Sequence, residues 1–355
     1  MLNYTGIDER MGRASREKSR EICCWQCNRQ PSSHAIAPPH DGYDARNLRL
    51  ETHAATPETC RVYWKRITLV GVGLLGGSLG LALRKRRLAK SVVGFVRREA
   101  SVVECKLAGA VNLATQDLRQ AVEKADLIVL CTPIAQMLPL VKQMLPALEP
   151  GAVVTDVGSV KDNVVRDLES LLARAGAHFV GSHPMAGSER TGVAAACADL
   201  FVNAVCVVTP TRRSNQAALR EVEQLWKAVG ARVLRLPPEV HDELVSRSSH
   251  LPHVVAAQLA NLILSPDQPK EQAMLCASGF RDTTRIASGS PEMWRDIALA
   301  NRQNLLRALT AFGDGLRDFK RVLRSRDDLA ISKFFEQARQ RRDRWSASAG
   351  SPSPE

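Results

Sequence analysis

Short apolar runs alternate with helix-like segments over residues 65–236. The runs are rich in β-branched residues, as buried strands are: RITLVG, SVVGFV, DLIVLCTP, GAVVTDVG and AHFVGS. Segments such as GGSLGLALRKRRL and VKDNVVRDLESLLARAG separate them, and a last strand–helix–strand stretch runs from NAVCVV to RVLRL. Because strands that alternate with helices form βαβ units, we expect an α/β domain with a mostly parallel sheet.

The pattern changes at residue 237. Apolar residues now recur at the helical period: Leu244, Leu251, Val255, Leu259 and Leu262. We therefore predict an all-α second domain over residues 237–345. Residues 1–64 mix Pro, His, Ser and Arg without any period, and residues 346–355 are small and polar. We expect both of these ends to be disordered.

The composition is typical of a water-soluble protein. The chain has 355 residues, of which 45% are hydrophobic and 24% charged. No apolar run approaches the ~18 residues of a membrane span, and the polar N-terminal segment lacks the apolar core of a signal peptide. We therefore expect a cytoplasmic protein without membrane contact.

Charge and cysteine content narrow the choice of partner. A net charge of +12 would suit nucleic acid, but only 5% of the residues are aromatic, so we favour a small anionic substrate and no nucleic acid. Cys24 and Cys27 form a CxxC pair with His34 and His40 downstream. A second CxxC is missing, so we predict no metal site.

A glycine motif follows the first predicted strand. Gly71, Gly73 and Gly76 form GxGxxG between a strand and a helix, and the helix would begin at Leu74 and Leu75. The first glycine permits a tight turn, the second lets the backbone approach a pyrophosphate, and the third allows close packing of helix on strand. The motif predicts dinucleotide binding at the N-terminus of the helix.

The second predicted strand bears on the choice of nicotinamide cofactor. It ends with Val96 where an acid usually holds the ribose of NAD, and Arg97 and Arg98 follow. Because guanidinium groups suit a 2′-phosphate, we favour NADP over NAD. The alternative is that both arginines are merely solvated surface residues.

Polar residues also follow the fourth and fifth predicted strands. Thr132 and Pro133 come after one, and Ser159 and Lys161 come after the other. In an open α/β sheet this carboxyl edge binds ligands, so Thr132 and Pro133 are candidates for cofactor contact. Position alone leaves Ser159 either a helix N-cap or a site residue.

His183 follows the next apolar run, again at the expected carboxyl edge. It lies in GSHPMAGSE, among small residues. A dehydrogenase that oxidises an alcohol needs a base near the hydroxyl, and histidine titrates near neutral pH. We interpret His183 as that base, beside the alternative of a structural histidine.

The helical region supplies further polar candidates. His250 and His253 lie three residues apart on one predicted helix face, with Pro252 between them expected to kink the helix. Arg281 and Arg285 have the i, i+4 spacing that lets both point into one cleft, where arginine suits carboxylates. The alternative is that both arginines lie on the helix surface.

Five motifs together resemble the prephenate/arogenate dehydrogenases of tyrosine biosynthesis. They are GVGLLGGSLGLAL, DVGSVK, GSHPMAGSE, HDELVSRSSHLPHVVA and GFRDTTRIASGSPEMWRDI, which occur in the family's order. The resemblance as a whole extends over about residues 67–309. The resemblance implies oxidative decarboxylation of prephenate, arogenate or both with hydride transfer to NAD(P). It also implies a Rossmann-type domain followed by an all-α dimerisation domain, on the plan of 6-phosphogluconate dehydrogenase, and hence a homodimer.

The resemblance implies roles for individual residues. His183 would be the catalytic histidine, bonded to the C4 hydroxyl of the ring, and Ser159 would help orient both. Arg285 would bind a substrate carboxylate with His253 near the substrate side chain. Glu189 would lie at the pocket mouth, and Trp294 would line a site that spans the two subunits.

Three rival functions explain fewer of these motifs. A β-hydroxyacid dehydrogenase or imine reductase would place a lysine or an acid where this chain has SRSSHLPHVV. A non-catalytic NADP sensor would not need His183, Ser159 and Arg285 together. A nucleic-acid binder predicts binding that depends strongly on salt.

Overall fold

The computed structural model describes residues 63–188 and 190–350, with the backbone alone for residues 348–350. The described chain forms two compact units, one that ends at Asp314 and one that begins at Gly315. Residues 1–62, and with them the predicted N-terminal disorder and the CxxC pair, lie outside the described residues, as does Glu189.

A six-stranded parallel sheet organises the first part of the chain. Its strands are β1 (Trp64–Val70), β2 (Ala89–Phe95), β3 (Leu113–Thr115), β4 (Leu127–Leu130), β5 (Val153–Asp156) and β6 (His178–Phe179). Their order in the sheet is β3-β2-β1-β4-β5-β6, and every pair is parallel. This is the strand order of a doubly wound dinucleotide-binding domain, which confirms the predicted fold class.

Helices connect these strands: α1 (Leu74–Lys85), α2 (Glu99–Leu107), α3 (Leu118–Val122), α4 (Ile134–Met144) and α5 (Asp162–Arg174). The sheet is buried on both faces, as its near-continuous apolar runs require. Consecutive residues of β1 show this, because Leu69 packs into one core cluster and Val70 into the other. The carboxyl edge of the sheet is thereby held as a rigid platform.

A second, three-stranded sheet follows. It contains β7 (Gly181–Pro184), β8 (Val205–Thr209) and β9 (Arg232–Arg235), and α6 (Gln216–Ala228) joins the last two. β7 runs antiparallel to β8, and β8 runs parallel to β9.

The predicted run AHFVGS is therefore not one strand. It is divided between β6 in the first sheet and β7 in the second, and His183 lies inside β7 rather than after a strand. The polar contacts of Ser182 explain the change of sheet. Its backbone N–H donates to Asp156 Oδ1 at 3.1 Å, and its hydroxyl accepts from Trp226 Nε1 at 2.9 Å.

From Pro238 onward the described chain is helical. The elements are α7 (Pro238–Val245), a π-helical turn (Ser246–His250), α8 (Leu251–Ile263), α9 (Lys270–Met274), α10 (Ser278–Thr284), α11 (Pro291–Ala300) and α12 (Arg302–Ser325). Pro252 lies in the first turn of α8, where proline is tolerated, and the helix is irregular in the π turn just before it. Within α8 Ala256 is the buried residue, and the predicted stripe ends with exposed Leu262.

The unit from Gly315 onward contains the end of α12 and α13 (Asp328–Gly350). Within it the ring of Phe319 contacts those of Phe334 and Phe335, with centroids 4.5 and 5.9 Å away. The prediction of a disordered tail from residue 346 was wrong up to Gly350, since α13 continues that far. Serine and alanine are tolerated in a helix, and the first helix-breaking proline comes only at Pro352. No helix among the described residues is both long and apolar enough to cross a membrane.

Candidate active site

The glycine turn between β1 and α1 has the shape that a dinucleotide needs. Gly71 has a φ of +100°, and a Cβ on Gly76 would lie 2.1 Å from the carbonyl oxygen of Gly71. Gly73, in contrast, has no atom within 4 Å of the place where its Cβ would stand. The first and third glycines are thus required by the packing, and the second leaves room for a ligand to approach the backbone.

The surroundings of this turn suit a negatively charged group. Leu74 and Leu75 open α1, whose first turn carries no acidic residue, so its N–H groups and helix dipole favour an anion. Thr132 follows β4 close to the Gly71 turn, and its Oγ1 is buried without a hydrogen-bond partner. Pro133 is the N-cap residue of α4. These residues fit the pyrophosphate portion of a nicotinamide dinucleotide.

Arg97 and Arg98 lie just past the end of β2. Val96 is buried, and both arginines are exposed. Arg98 is the N-cap residue of α2, and its guanidinium lies 3.9 Å from Glu104. Both side chains are thus open to solvent where β2 ends.

A fully buried ion pair lies at the end of β5. Asp156 accepts hydrogen bonds from the Lys161 ammonium and, at 2.8 Å, from the Gly158 N–H, and neither side chain of the ion pair is exposed. Ser159 lies in the loop between them. The N-cap interpretation of Ser159 was wrong, because α5 begins only at Asp162 and Lys161 is its N-cap residue. The turn held by Asp156 delays the helix.

His183 is the centre of a buried network of polar side chains. Its Nδ1 lies 2.9 Å from Nε2 of His241 on α7, and Nδ1 of His241 lies 2.8 Å from Oδ1 of Asp242. Asp242 in turn accepts hydrogen bonds from the backbone N–H of Lys161 at 2.7 Å and of Asp162 at 3.0 Å. The base candidate on β7 is thus connected to a helix of the second domain.

The environment of His183 favours the neutral imidazole. Burial lowers the pKa of His183 well below its ordinary value, and the nearby His241, Lys161 and His250 act in the same direction. Burial also lowers the pKa of His241, although its contact with Asp242 opposes this. At neutral pH both rings are therefore uncharged, which is the state a general base requires.

His250 connects this network to the predicted substrate residues. It is fully buried, its Nδ1 lies 3.2 Å from the Asn301 amide nitrogen, and burial lowers its pKa to about 4. A backbone interaction with Ser159 acts in the opposite direction, which places the Ser159 loop beside His250. The structure thus brings His183 and Ser159 to a common partner.

A second group of predicted residues surrounds Trp294 on α11. Its ring stacks on that of His253 with the centroids 3.7 Å apart, and the His250 ring lies 6.1 Å away. Burial lowers the pKa of His253, and the charge of Arg285 contributes. His253, Trp294 and Arg285 therefore lie together next to the histidine network.

The predicted residue Arg281 is not joined to this group. Arg281 is exposed on α10, and within the described chain no hydrogen bond or ion pair joins it to the other candidates. Glu189 falls outside the described residues. Among the residues that are described, no cluster of three or more His, Cys, Asp or Glu side chains could hold a metal.

The sequence interpretation missed His241, Asp242 and Asn301. All three are buried, and the Asn301 amide donates to the backbone carbonyl of Asp242 at 2.8 Å. A polar HD pair near the start of a predicted amphipathic helix was the available signal for the first two. Asn301 had none, since it is separated by 51 residues from its partner His250.

Family models match both parts of the chain. A family model for the nucleotide-binding domain of prephenate dehydrogenase matches residues 79–235, and a model for its dimerization domain matches residues 237–337. The chain is 35% identical over 283 residues to prephenate dehydrogenase of Bacillus subtilis, which covers 78% of this chain and 75% of the relative.

Two solved structures extend the similarity to the fold. Prephenate dehydrogenase from Aquifex aeolicus, solved with hydroxyphenyl propionate and NAD+, superposes with a TM-score of 0.74 at 30% identity over 78% of this chain and 97% of that one. Arogenate dehydrogenase from Synechocystis gives 0.67 at 32% identity over 79% and 99%.

Proposed function

The chain belongs to the prephenate dehydrogenase family, and from this premise we propose that His183 is the base of its reaction. The family function is the oxidative decarboxylation of prephenate, arogenate or both, with hydride transfer to a nicotinamide cofactor, in tyrosine biosynthesis. The observation that carries the assignment is the position of His183, buried and neutral, in contact with His241.

The reaction requires from the protein little more than a base and a few cationic side chains. His183 accepts the proton of the C4 hydroxyl while C4 gains carbonyl character, and Ser159 helps to orient the hydroxyl. A nicotinamide held at the glycine turn by Gly71, Gly73 and Gly76 would supply the acceptor for the hydride that leaves C4. The ring carboxylate then leaves as CO2, and its bonding electrons complete the aromatic ring, whose oxygen regains a proton. Aromatisation makes the reaction irreversible, so no acid is needed at the carboxylate end.

We assign substrate binding to the group around Trp294. Arg285 would bind a carboxylate of the substrate, with His253 near the substrate side chain and Trp294 as an apolar wall against it. The stacking of His253 on Trp294 supports this role for both. Arg281 is proposed as a further substrate-binding residue, and Glu189 is proposed at the mouth of the pocket.

We assign cofactor binding to the glycine turn and to the carboxyl ends of its neighbouring strands. The residues are Gly71, Gly73, Leu74, Leu75, Gly76, Arg97, Arg98, Thr132 and Pro133. The exposed guanidinium groups of Arg97 and Arg98 favour NADP, because a 2′-phosphate can accept hydrogen bonds from both. NAD lacks this phosphate and would gain less from this pair of charges.

We also propose that the enzyme is a homodimer through the helical domain. The match of residues 237–337 to a dimerization-domain model supports this assignment. So do the exposed apolar side chains of that domain, among them Leu262, Met274 and Leu275.

The test measures the formation of reduced nicotinamide by its absorbance. Prephenate and arogenate are each assayed with NAD+ and with NADP+. We expect turnover with at least one substrate and a kcat/KM about tenfold higher with NADP+. His183→Asn should lower kcat by about 10²- to 10⁴-fold, the usual contribution of a general base, while leaving cofactor binding unchanged. Folded protein that binds the cofactor and turns over neither substrate would refute the proposed function.

A further inference from the structure

The reaction as described uses only one nitrogen of His183, and the other nitrogen has a buried partner. His183 Nδ1 contacts His241 Nε2 at 2.9 Å, and the two rings meet edge to face with centroids 5.1 Å apart. A neutral imidazole carries one proton, on either Nδ1 or Nε2. Which nitrogen carries it decides whether Nε2 of His183 can accept a proton from substrate.

The hydrogen bonds of Asp242 determine which nitrogen of His241 carries its proton. Its Oδ1 accepts the N–H of Lys161 at 2.7 Å and its Oδ2 accepts the N–H of Asp162 at 3.0 Å, so the carboxylate spans the N-terminus of α5. A helix N-terminus stabilises a negative charge, and an ionised carboxylate can only accept hydrogen bonds. The contact of 2.8 Å with His241 Nδ1 therefore requires the proton on His241.

The proton on His241 in turn determines the tautomer of His183. Since its single proton is on Nδ1, its Nε2 is an acceptor, and His183 must donate from its own Nδ1. We propose that His241 and Asp242 are positioning residues that hold His183 in the Nδ1–H tautomer, with Nε2 free to accept the substrate proton. This inference rests on the proposed function for its catalytic meaning, although the tautomer itself can be measured without substrate.

The arrangement is held rigidly enough to impose one tautomer. His241 and Asp242 are both buried, and the Asn301 amide donates to the Asp242 carbonyl at 2.8 Å. The ammonium of Lys161 is engaged with Asp156, so the carboxylate of Asp242 is left to the two backbone donors and His241. The base on β7 is therefore oriented by α7, a helix of the second domain.

Asp242→Asn is the direct test. An amide nitrogen can donate to His241 Nδ1, which would reverse both rings and leave a proton on Nε2 of His183. We expect kcat to fall by about 10²- to 10⁴-fold, the usual contribution of a general base, with KM changed by less than about threefold. The upper value is the loss that follows when a comparable carboxylate behind a catalytic histidine becomes an amide. Nitrogen NMR of the holoenzyme should show the proton of His183 on Nδ1 in the wild type and on Nε2 in the variant.

A second pair of variants keeps the test valid if Asp242→Asn does not fold. His241→Phe retains the cap of Asp242 on α5 and removes the acceptor for His183, whereas His241→Gln supplies an amide oxygen in its place. We expect a large loss of kcat with phenylalanine and a recovery of about tenfold with glutamine. Glu239→Gln, which removes an exposed carboxylate from the same helix, should leave kcat and the His183 signals unchanged.

Failure of the tautomer assignment and failure of the proposed function would give different results. Folded Asp242→Asn and His241→Phe proteins with wild-type kcat and an unchanged His183 tautomer would overturn the inference. A wild-type enzyme without turnover would refute the proposed function, while the nitrogen signals of the same samples would still support or contradict the tautomer.

Discussion

At the scale of single residues, burial decides what the site histidines can do. His183, His241 and His250 are all buried, and removal from water lowers the pKa of each. Each protonated ring would also face another histidine or Lys161, and Asp242 only partly offsets this. At neutral pH the imidazoles of the site are therefore uncharged. At low pH this preference for the neutral form should lower the free energy of unfolding of the whole protein.

Because the pKa of His250 is lowered in the folded protein, acid should lower the free energy of unfolding. In the unfolded chain a histidine takes up a proton near pH 6.5, whereas His250 in the folded protein does so only near pH 4. Between these values the unfolded state binds more protons. The contribution of the neutral His250 ring to the free energy of unfolding is therefore fully present above pH 6.5 and is lost as the pH falls toward 4.

We predict that His250→Asn makes stability less sensitive to acid. Asparagine can still contact the Asn301 amide, and it does not titrate. Between pH 7 and pH 5 the free energy of unfolding of the wild type should fall by about 2 kcal/mol more than that of the variant. Urea unfolding at a series of pH values measures this difference. Parallel curves for the two proteins would show that His250 is not held neutral.

At the scale of elements, the glycines around α1 separate folding from ligand binding. A methyl group at Gly76 would collide with the Gly71 carbonyl, whereas one at Gly73 would enter open space. Gly73 has a φ of −90°, which alanine also adopts. The two positions can therefore be changed by the same substitution with different physical results.

We predict that Gly76→Ala loses stability and that Gly73→Ala loses mainly cofactor affinity. Overpacking costs about 1–3 kcal/mol, so the Tm of Gly76→Ala should fall by about 5 °C. Gly73→Ala should keep its Tm within about 2 °C but bind NAD(P)+ about tenfold more weakly, since the methyl group occupies the space left for the pyrophosphate. Scanning calorimetry and titration calorimetry measure the two effects. Equal loss of Tm in both variants would contradict the assignment of Gly73 to the ligand.

Some of these elements could be predicted from the sequence alone and others could not. The β-branched runs and the glycine motif were sufficient for the parallel sheet and the cofactor turn, because both depend on local pattern. The division of AHFVGS into β6 and β7 was not predictable, since Ser182 is drawn away by Asp156 and Trp226, 26 and 44 residues distant. The partner of His183 was missed for the same reason, because His241 follows it by 58 residues.

At the scale of the whole molecule, the candidate active site depends on both domains. His183 lies on a strand of the first domain, and the groups that contact it or lower its pKa include His241 and His250 of the second. The α5 N-terminus is closed by Asp242 from α7. The nucleotide-binding domain and the helical domain are thus joined through buried hydrogen bonds, so neither domain by itself would hold His183 in place.

The helical half also carries the apolar surface that a second copy would cover. Leu275 is 83% exposed after α9, and Leu107 is equally exposed, at 84%, at the end of α2 in the first domain. If dimerisation uses the helical domain, Leu275→Asp should weaken the dimer about tenfold or more, because a buried charge replaces apolar contact, and Leu107→Asp should not. Light scattering over a dilution series measures the mass, which for the wild type should be twice the 38.9 kDa of the chain. A monomeric wild type, or a dimer weakened by Leu107→Asp alone, would place the interface elsewhere or remove it.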